Sequence, residues 1–264
     1  MTVVKPVTYQ DLLDQDKKMQ EILGEDLKDE IEHYKRTCEL YISLFNNVIR
    51  TYPSKSAIDC IHLLGVRIFQ DSRAAFDLAL KGIQPQSSSL VRGALETIFL
   101  IYDFKFNPEN ENIWFEGSKS KREELFKASK VRKRLEGKIK SHEAGKQIYN
   151  LISDFSTHVS VESCHWYMET TPKTLKYHWA GRKGGIRSIL VVLQAMFALS
   201  QALFVLVEED IYTFTNSAWL DEYDEWKKSE LEVNKKLGKL IGNNTLEGII
   251  FKPSARIKVE NSGP

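Results

Sequence analysis

The chain reads as an all-α protein, a multi-helix bundle with a small hairpin or flap around residues 164–182. Three observations predict this class. Apolar residues recur at three- and four-residue spacing along most of the 264 residues, the pattern of helices that bury one face. Pro53, Gly82, Pro85 and the Asn107-Pro108 pair separate those runs where helices must stop or start. Only from about Ser160 to Gly185 does helical spacing lapse, and there Trp166, Tyr177 and Trp179 flank the turn signal Thr171-Pro172-Lys173.

The elements follow in order. Thr8 to Leu23 is a polar amphipathic helix. Ile31, Tyr34, Cys38, Tyr41, Phe45 and Val48 predict a second helix from Glu25 to Tyr52, which Pro53 ends. Ile61, Leu64, Ile68, Ala75 and Leu78 stripe a third from Ser54 to Lys81. A fourth runs from Ser87 to about Phe106, and Asn107-Pro108 caps a short fifth through Trp114. After the basic stretch 117–140 come a helix from Glu143 to Phe155, the flap, a long helix from Ile186 to about Tyr212, and a last one from Ser217 to Ile241. The organisation is one helical domain over 1–264: a peripheral helix in 1–24, a core bundle in 25–215, a C-terminal amphipathic helix in 217–241 and a tail in 242–264. The last helix carries Trp219, Tyr223 and Trp226 on one face, a surface expected to support homo-oligomerisation.

Composition narrows the partners. A hydrophobic content of 42% excludes disorder of the whole chain, and a net charge of +1 gives no global pull towards a polyanion or membrane. Three cysteines without metal-type spacing and an N-terminus without an apolar signal region lead to the expectation of a reducing cytoplasm. Ile189 to Val207 approaches membrane-spanning length, but Gln194, Ser200 and Gln201 interrupt it. The expected role is a central bundle helix, with no stable membrane insertion.

The most informative feature is Arg92 with Glu96, four apart in the apolar run Leu90 to Tyr102. An exposed pair at this spacing is worth only about 0.2–0.5 kcal/mol, so the setting predicts a buried pair that is structural or part of a site. Asp71, four after Arg67 on the preceding helix, is expected to face Arg92 and join a polar network. His158, at the helix end Ser156-Thr157-His158, is the candidate proton carrier. Residues 119–140 hold ten basic against three acidic side chains; Lys130, Arg132, Lys133 and Arg134 are its candidate nucleic-acid ligands, with RNA as partner. The spacing of His158, Cys164, His165 and His178 matches no structural zinc site, so neither metal nor cofactor is expected.

The order Arg67…Asp71-Ser72…Gly82, Ser89-Leu90-Val91-Arg92-Gly93-Ala94-Leu95-Glu96, then Ser156-Thr157-His158 resembles an uncharacterised family of bacterial all-helical proteins. That family has a Leu-x-Arg-x-x-x-Glu helix and a later Ser-x-His helix end, and the resemblance covers roughly residues 55–160. Helical families of this look have been compared with HEPN domains of toxin and antiviral ribonucleases, which implies a defence- or stress-associated RNA-binding or RNA-cleaving protein. In that role His158, Arg92 and Glu96 form the catalytic or sensing site. The chain departs from the nuclease pattern: none of its six histidines follows an arginine after four to six residues. Two other classes fit the same residues. One is a non-catalytic interaction or regulatory protein with a structural Arg-Glu pair; the other is a small-ligand sensor with the flap as lid.

Overall fold

The computed structural model describes residues 8–50, 59–138, 149, 168–171, 174–177, 186–209 and 211–242. Among these, helices dominate: α1 (Tyr9–Asp26), α2 (Lys28–Leu44), α3 (Cys60–Leu80), α4 (Gln84–Phe106), α5 (Glu109–Glu116), α6 (Lys119–Leu125), α7 (Ala128–Leu135), α8 (Ile186–Glu208) and α9 (Ser217–Gly242). Two antiparallel strand pairs complete them, β1 (Val48–Arg50) with β4 (Tyr212–Phe214), and β2 (Met168–Thr171) with β3 (Thr174–Tyr177). The all-α class holds, and β2–β3 is the hairpin expected in the flap region.

The β1–β4 pair corrects two expected helix ends. Rather than continuing to Tyr52, α2 stops at Leu44, and α8 stops at Glu208 short of Tyr212. Asn46 and Asn47 close the α2 end through backbone bonds to Ser43 and Leu44, and Thr215 N–H donates back to Asn47 O at 2.9 Å. Val48, Ile49, Tyr212, Thr213 and Phe214 are all good strand formers, so a ladder competes well with one more helical turn once the two ends are neighbours.

The core is an antiparallel α3–α4 hairpin covered by α8. Gly82, at φ 74°, supplies the left-handed residue after α3, and Ile83 N–H reaches Leu78 O at 2.9 Å to satisfy the helix end. Asp59 caps the start of α3 by accepting from His62 N–H at 3.1 Å; the expected start at Ser54 lies outside the described residues. Ser87 Oγ donates to Ala75 O at 2.7 Å, and Gln84 Nε2 donates to Ser188 Oγ at 2.8 Å, which ties the starts of α4 and α8. The apolar helix α8 is mostly buried against its neighbours, with Gln194 and Ser200 inside.

Helix α2 crosses α3 at Gly65, where Tyr41 Oη donates to Gly65 O at 3.0 Å. A Cβ on Gly65 would stand 2.5 Å from the Phe45 ring. Gly65→Ala should therefore cost about 1–3 kcal/mol despite the better helix propensity of alanine, read from the urea midpoint.

Helix α9 lies against α2 and α8 and spends its aromatic face there. Trp226 is fully buried, Tyr223 and Trp219 nearly so, and Trp226 Nε1 donates to Thr37 Oγ1 at 2.8 Å. The surface expected to support self-association is thus occupied within the chain. At the same seam His33 Nε2 meets Glu230 Oε2 in a hydrogen-bond contact of 2.6 Å, with His33 9% and Glu230 1% exposed. Glu230 also accepts from Asn234 Nδ2 at 2.9 Å, and His33 Nδ1 lies 3.1 Å from Ser229 Oγ.

Candidate functional site

Helix α4 is apolar on most sides, and Arg92 and Glu96 interrupt that surface one turn apart. Arg92 Nε donates to Glu96 Oε1 at 2.9 Å and to Tyr149 Oη at 3.1 Å, while Tyr149 Oη donates to the same Glu96 oxygen at 2.7 Å. The three form a closed triangle. The expected burial is only partial, since the Arg92 and Glu96 side chains are 23% and 33% exposed. They stand at the rim of the core, not inside it.

The protonation of the triangle follows from its contacts. Partial burial and the hydrogen bond to Glu96 both raise the Tyr149 phenol above its ordinary pKa, which keeps it a donor. Burial opposes the Arg92 charge, but the bonds to Glu96 and Tyr149 outweigh it and hold the guanidinium above its usual value. A second guanidinium closes on the same ring: Arg132 lies 3.9 Å over the Tyr149 centroid, and Arg92 lies 5.2 Å from it. Arg132 Nη1 is buried and has no hydrogen-bond partner among the described residues.

Beside the triangle opens a cleft of about 170 Å³, with Glu96, Phe99, Trp114, Phe126 and Arg67 in its wall. Arg67 and Asp71 reach this region from α3. They pair with each other at 3.5 Å, and Asp71 packs against Gly93 of α4, 3.6 Å from where a Cβ would stand. The expected link from Asp71 to Arg92 is therefore replaced by Asp71 with Arg67, on the neighbouring wall.

The basic segment folds into α6 and α7, and its charges separate by role. Val131 and Leu135 turn inward from α7, which leaves Lys127, Lys130 and Lys133 exposed at three-residue spacing. Arg134 departs from the expected phosphate face. Its Nε and Nη2 donate to Asp103 Oδ1 and Oδ2 at 2.8 and 2.6 Å, and its Nη1 donates to Leu125 O at 2.8 Å. Those bonds hold the Arg134 guanidinium above its ordinary pKa. Asp103 is fully buried and also accepts from Asn107 and Asn110, so this pair anchors α7 to α4 and α5.

Sequence reasoning missed Asp103, Tyr149 and the pair His33–Glu230. Asp103 had a signal: it falls two turns after Glu96 in the same apolar helix. Glu230 had one too, since it continues the stripe Trp219, Tyr223, Trp226. Tyr149 had none. His158, Trp166 and Trp179 lie outside the described residues, and Tyr177 is described only as part of β3. Among the described residues no group of three His, Cys, Asp or Glu side chains could hold a metal ion.

The described geometry thus joins an aromatic cleft, an Arg92–Glu96–Tyr149 triangle, a stacked Arg132 and an exposed lysine row on one side of α4. No protein-family model, curated protein or solved structure matches the chain.

Proposed function

We propose that this chain binds single-stranded RNA, with Lys127, Lys130 and Lys133 against phosphates and an unstacked base in the cleft beside Glu96. The observation that supports it most is the exposed row of Lys127, Lys130 and Lys133, which stands beside an aromatic cleft that Ala128 and Val131 of the same segment help to line. Aromatic walls next to a basic row are the usual means of holding single strands, with bases stacked and phosphates paired. The cytoplasmic setting expected from the cysteines and N-terminus, and the defence or stress association implied by the HEPN resemblance, belong to this proposal.

Binding rather than cleavage is the activity the geometry favours. Arg92, the group that would stabilise a phosphorane, has its Nε–H shared between Glu96 and Tyr149. His158→Ala tests the cleaving form: loss of RNA cleavage with unchanged melting assigns a catalytic histidine, whereas a wild-type enzyme inert towards RNA leaves binding alone.

Binding itself is tested by fluorescence anisotropy with a short unstructured RNA across salt concentrations. Exchanging Lys127, Lys130 and Lys133 for glutamine should weaken binding at least about tenfold at low salt. It should also flatten the log–log salt slope by about 2, since each lost phosphate contact on a single strand removes about 0.7. An unchanged affinity and slope would overturn the proposal. The non-catalytic regulatory alternative is favoured by one fact, that Arg92, Glu96 and Tyr149 hold one another through mutual hydrogen bonds. It predicts no RNA affinity at any salt concentration.

A further inference from the structure

We propose that the cleft selects guanine, an inference that rests on the RNA-binding proposal and specifies the base. It starts from Glu96. A carboxylate offers about four acceptor sites. Two of them, both on Oε1, are taken by Arg92 Nε and Tyr149 Oη, and Glu96 Oε2 accepts no bond from the described residues. The side chain is one-third exposed and forms part of the cleft wall. Glu96 thus keeps two acceptor sites on Oε2 among the described residues, on a side chain that borders the cleft.

Among the four RNA bases only guanine has two adjacent donors, N1–H and the N2 amino group, on its Watson–Crick edge. Adenine and cytosine offer a single amino group beside an acceptor nitrogen that would face a carboxylate oxygen. Uracil offers N3–H between two carbonyls that the carboxylate repels. Bases in single strands are commonly read on this edge while stacked on aromatic rings, and Phe99, Trp114 and Phe126 provide such rings here. Arg67 lines the same cleft, and guanine O6 and N7 are the acceptors that arginine reads.

The chemistry also explains why the triangle is built as it is. Arg92 and Tyr149 both donate to one Glu96 oxygen, which fixes the carboxylate plane and leaves Oε2 without a bond from the described residues. A site organised to hydrogen-bond one partner rejects those that leave it unpaired.

The test uses the full chain and nine-residue uridine oligoribonucleotides carrying G, A, C or inosine at the centre, with all-uridine as reference. The G-containing strand should bind at least about tenfold tighter than the A, C and U strands, the discrimination expected when two base donors converge on the Glu96 Oε2 atom. Inosine, which lacks the N2 amino group, should fall between G and U in the wild-type protein. Glu96→Gln replaces an acceptor by an amide N–H₂ and should bring G to within about twofold of U. Equal affinity for all strands would overturn guanine selection and leave RNA binding standing. No measurable binding to any of them would overturn both. If Glu96→Gln melts early, the inosine comparison decides the matter without a variant, and equal binding of inosine and guanine there counts against the proposal.

Discussion

Arg134→Ala should destabilise the fold by about 3–5 kcal/mol, because it leaves a carboxylate of zero exposure without its counter-ion. Asp103 would keep only the amide donors of Asn107 and Asn110, at 3.1 and 3.0 Å. The charge cannot reach water without opening the contact of α4 with α7. Replacing both partners with apolar residues, Asp103→Leu with Arg134→Met, should recover most of the loss, since the desolvation penalty disappears together with the attraction. Urea denaturation of the two single variants and the double variant checks this. A double variant no more stable than Arg134→Ala would mean that the bonds, rather than the orphaned charge, carry the energy. A consequence for function follows, because the helix that Arg134 anchors is the one that carries Lys130 and Lys133. Arg134→Ala should weaken RNA binding through misplaced lysines, even though Arg134 itself is spent on Asp103.

The second large effect lies at the seam of α2 and α9. His33→Ala leaves Glu230, 1% exposed, with Asn234 as its remaining donor at 2.9 Å, and removes the ring stacked 5.8 Å from Trp226. The expected loss is again about 3–5 kcal/mol. Glu230→Gln should cost far less, about 1 kcal/mol, because an amide oxygen still accepts from His33 and carries no charge to bury. Trp226 sits in the same contact, so its fluorescence during urea unfolding reports both variants. A change of under 1 kcal/mol for His33→Ala would show that the pair contributes no net stability and that the aromatic packing alone holds α9 in place.

These two pairs show how far the chain could be read from its residues. Helices are local objects, so α1, α4, α8 and α9 were legible from the spacing of their apolar residues, and the end of α3 from Gly82. The hairpin β2–β3 was legible because Thr-Pro-Lys marks a turn within a dozen residues. The strand pair β1–β4 was not, since Val48 and Phe214 are partners from nearly opposite ends of the described chain. Within a helix, a polar residue on an apolar stripe is visible; whom it meets is not. Arg92 and Glu96 stood out as a pair, yet Tyr149, which completes the triangle, arrives from more than fifty residues away.

The basic segment marks the same boundary. Its ten positive charges were plain in the residue order, but their division of labour was not. Whether a given arginine faces solvent, a ring or a carboxylate depends on which elements pack beside α7. Periodicity follows from the backbone geometry of a few neighbouring residues, so the helical elements and the apolar face of each were settled by local residue order. Packing joins groups that are remote along the chain, and it alone determined that Arg134 secures a buried carboxylate, that Arg132 lies over Tyr149, and that Tyr149 joins Arg92 on one oxygen of Glu96.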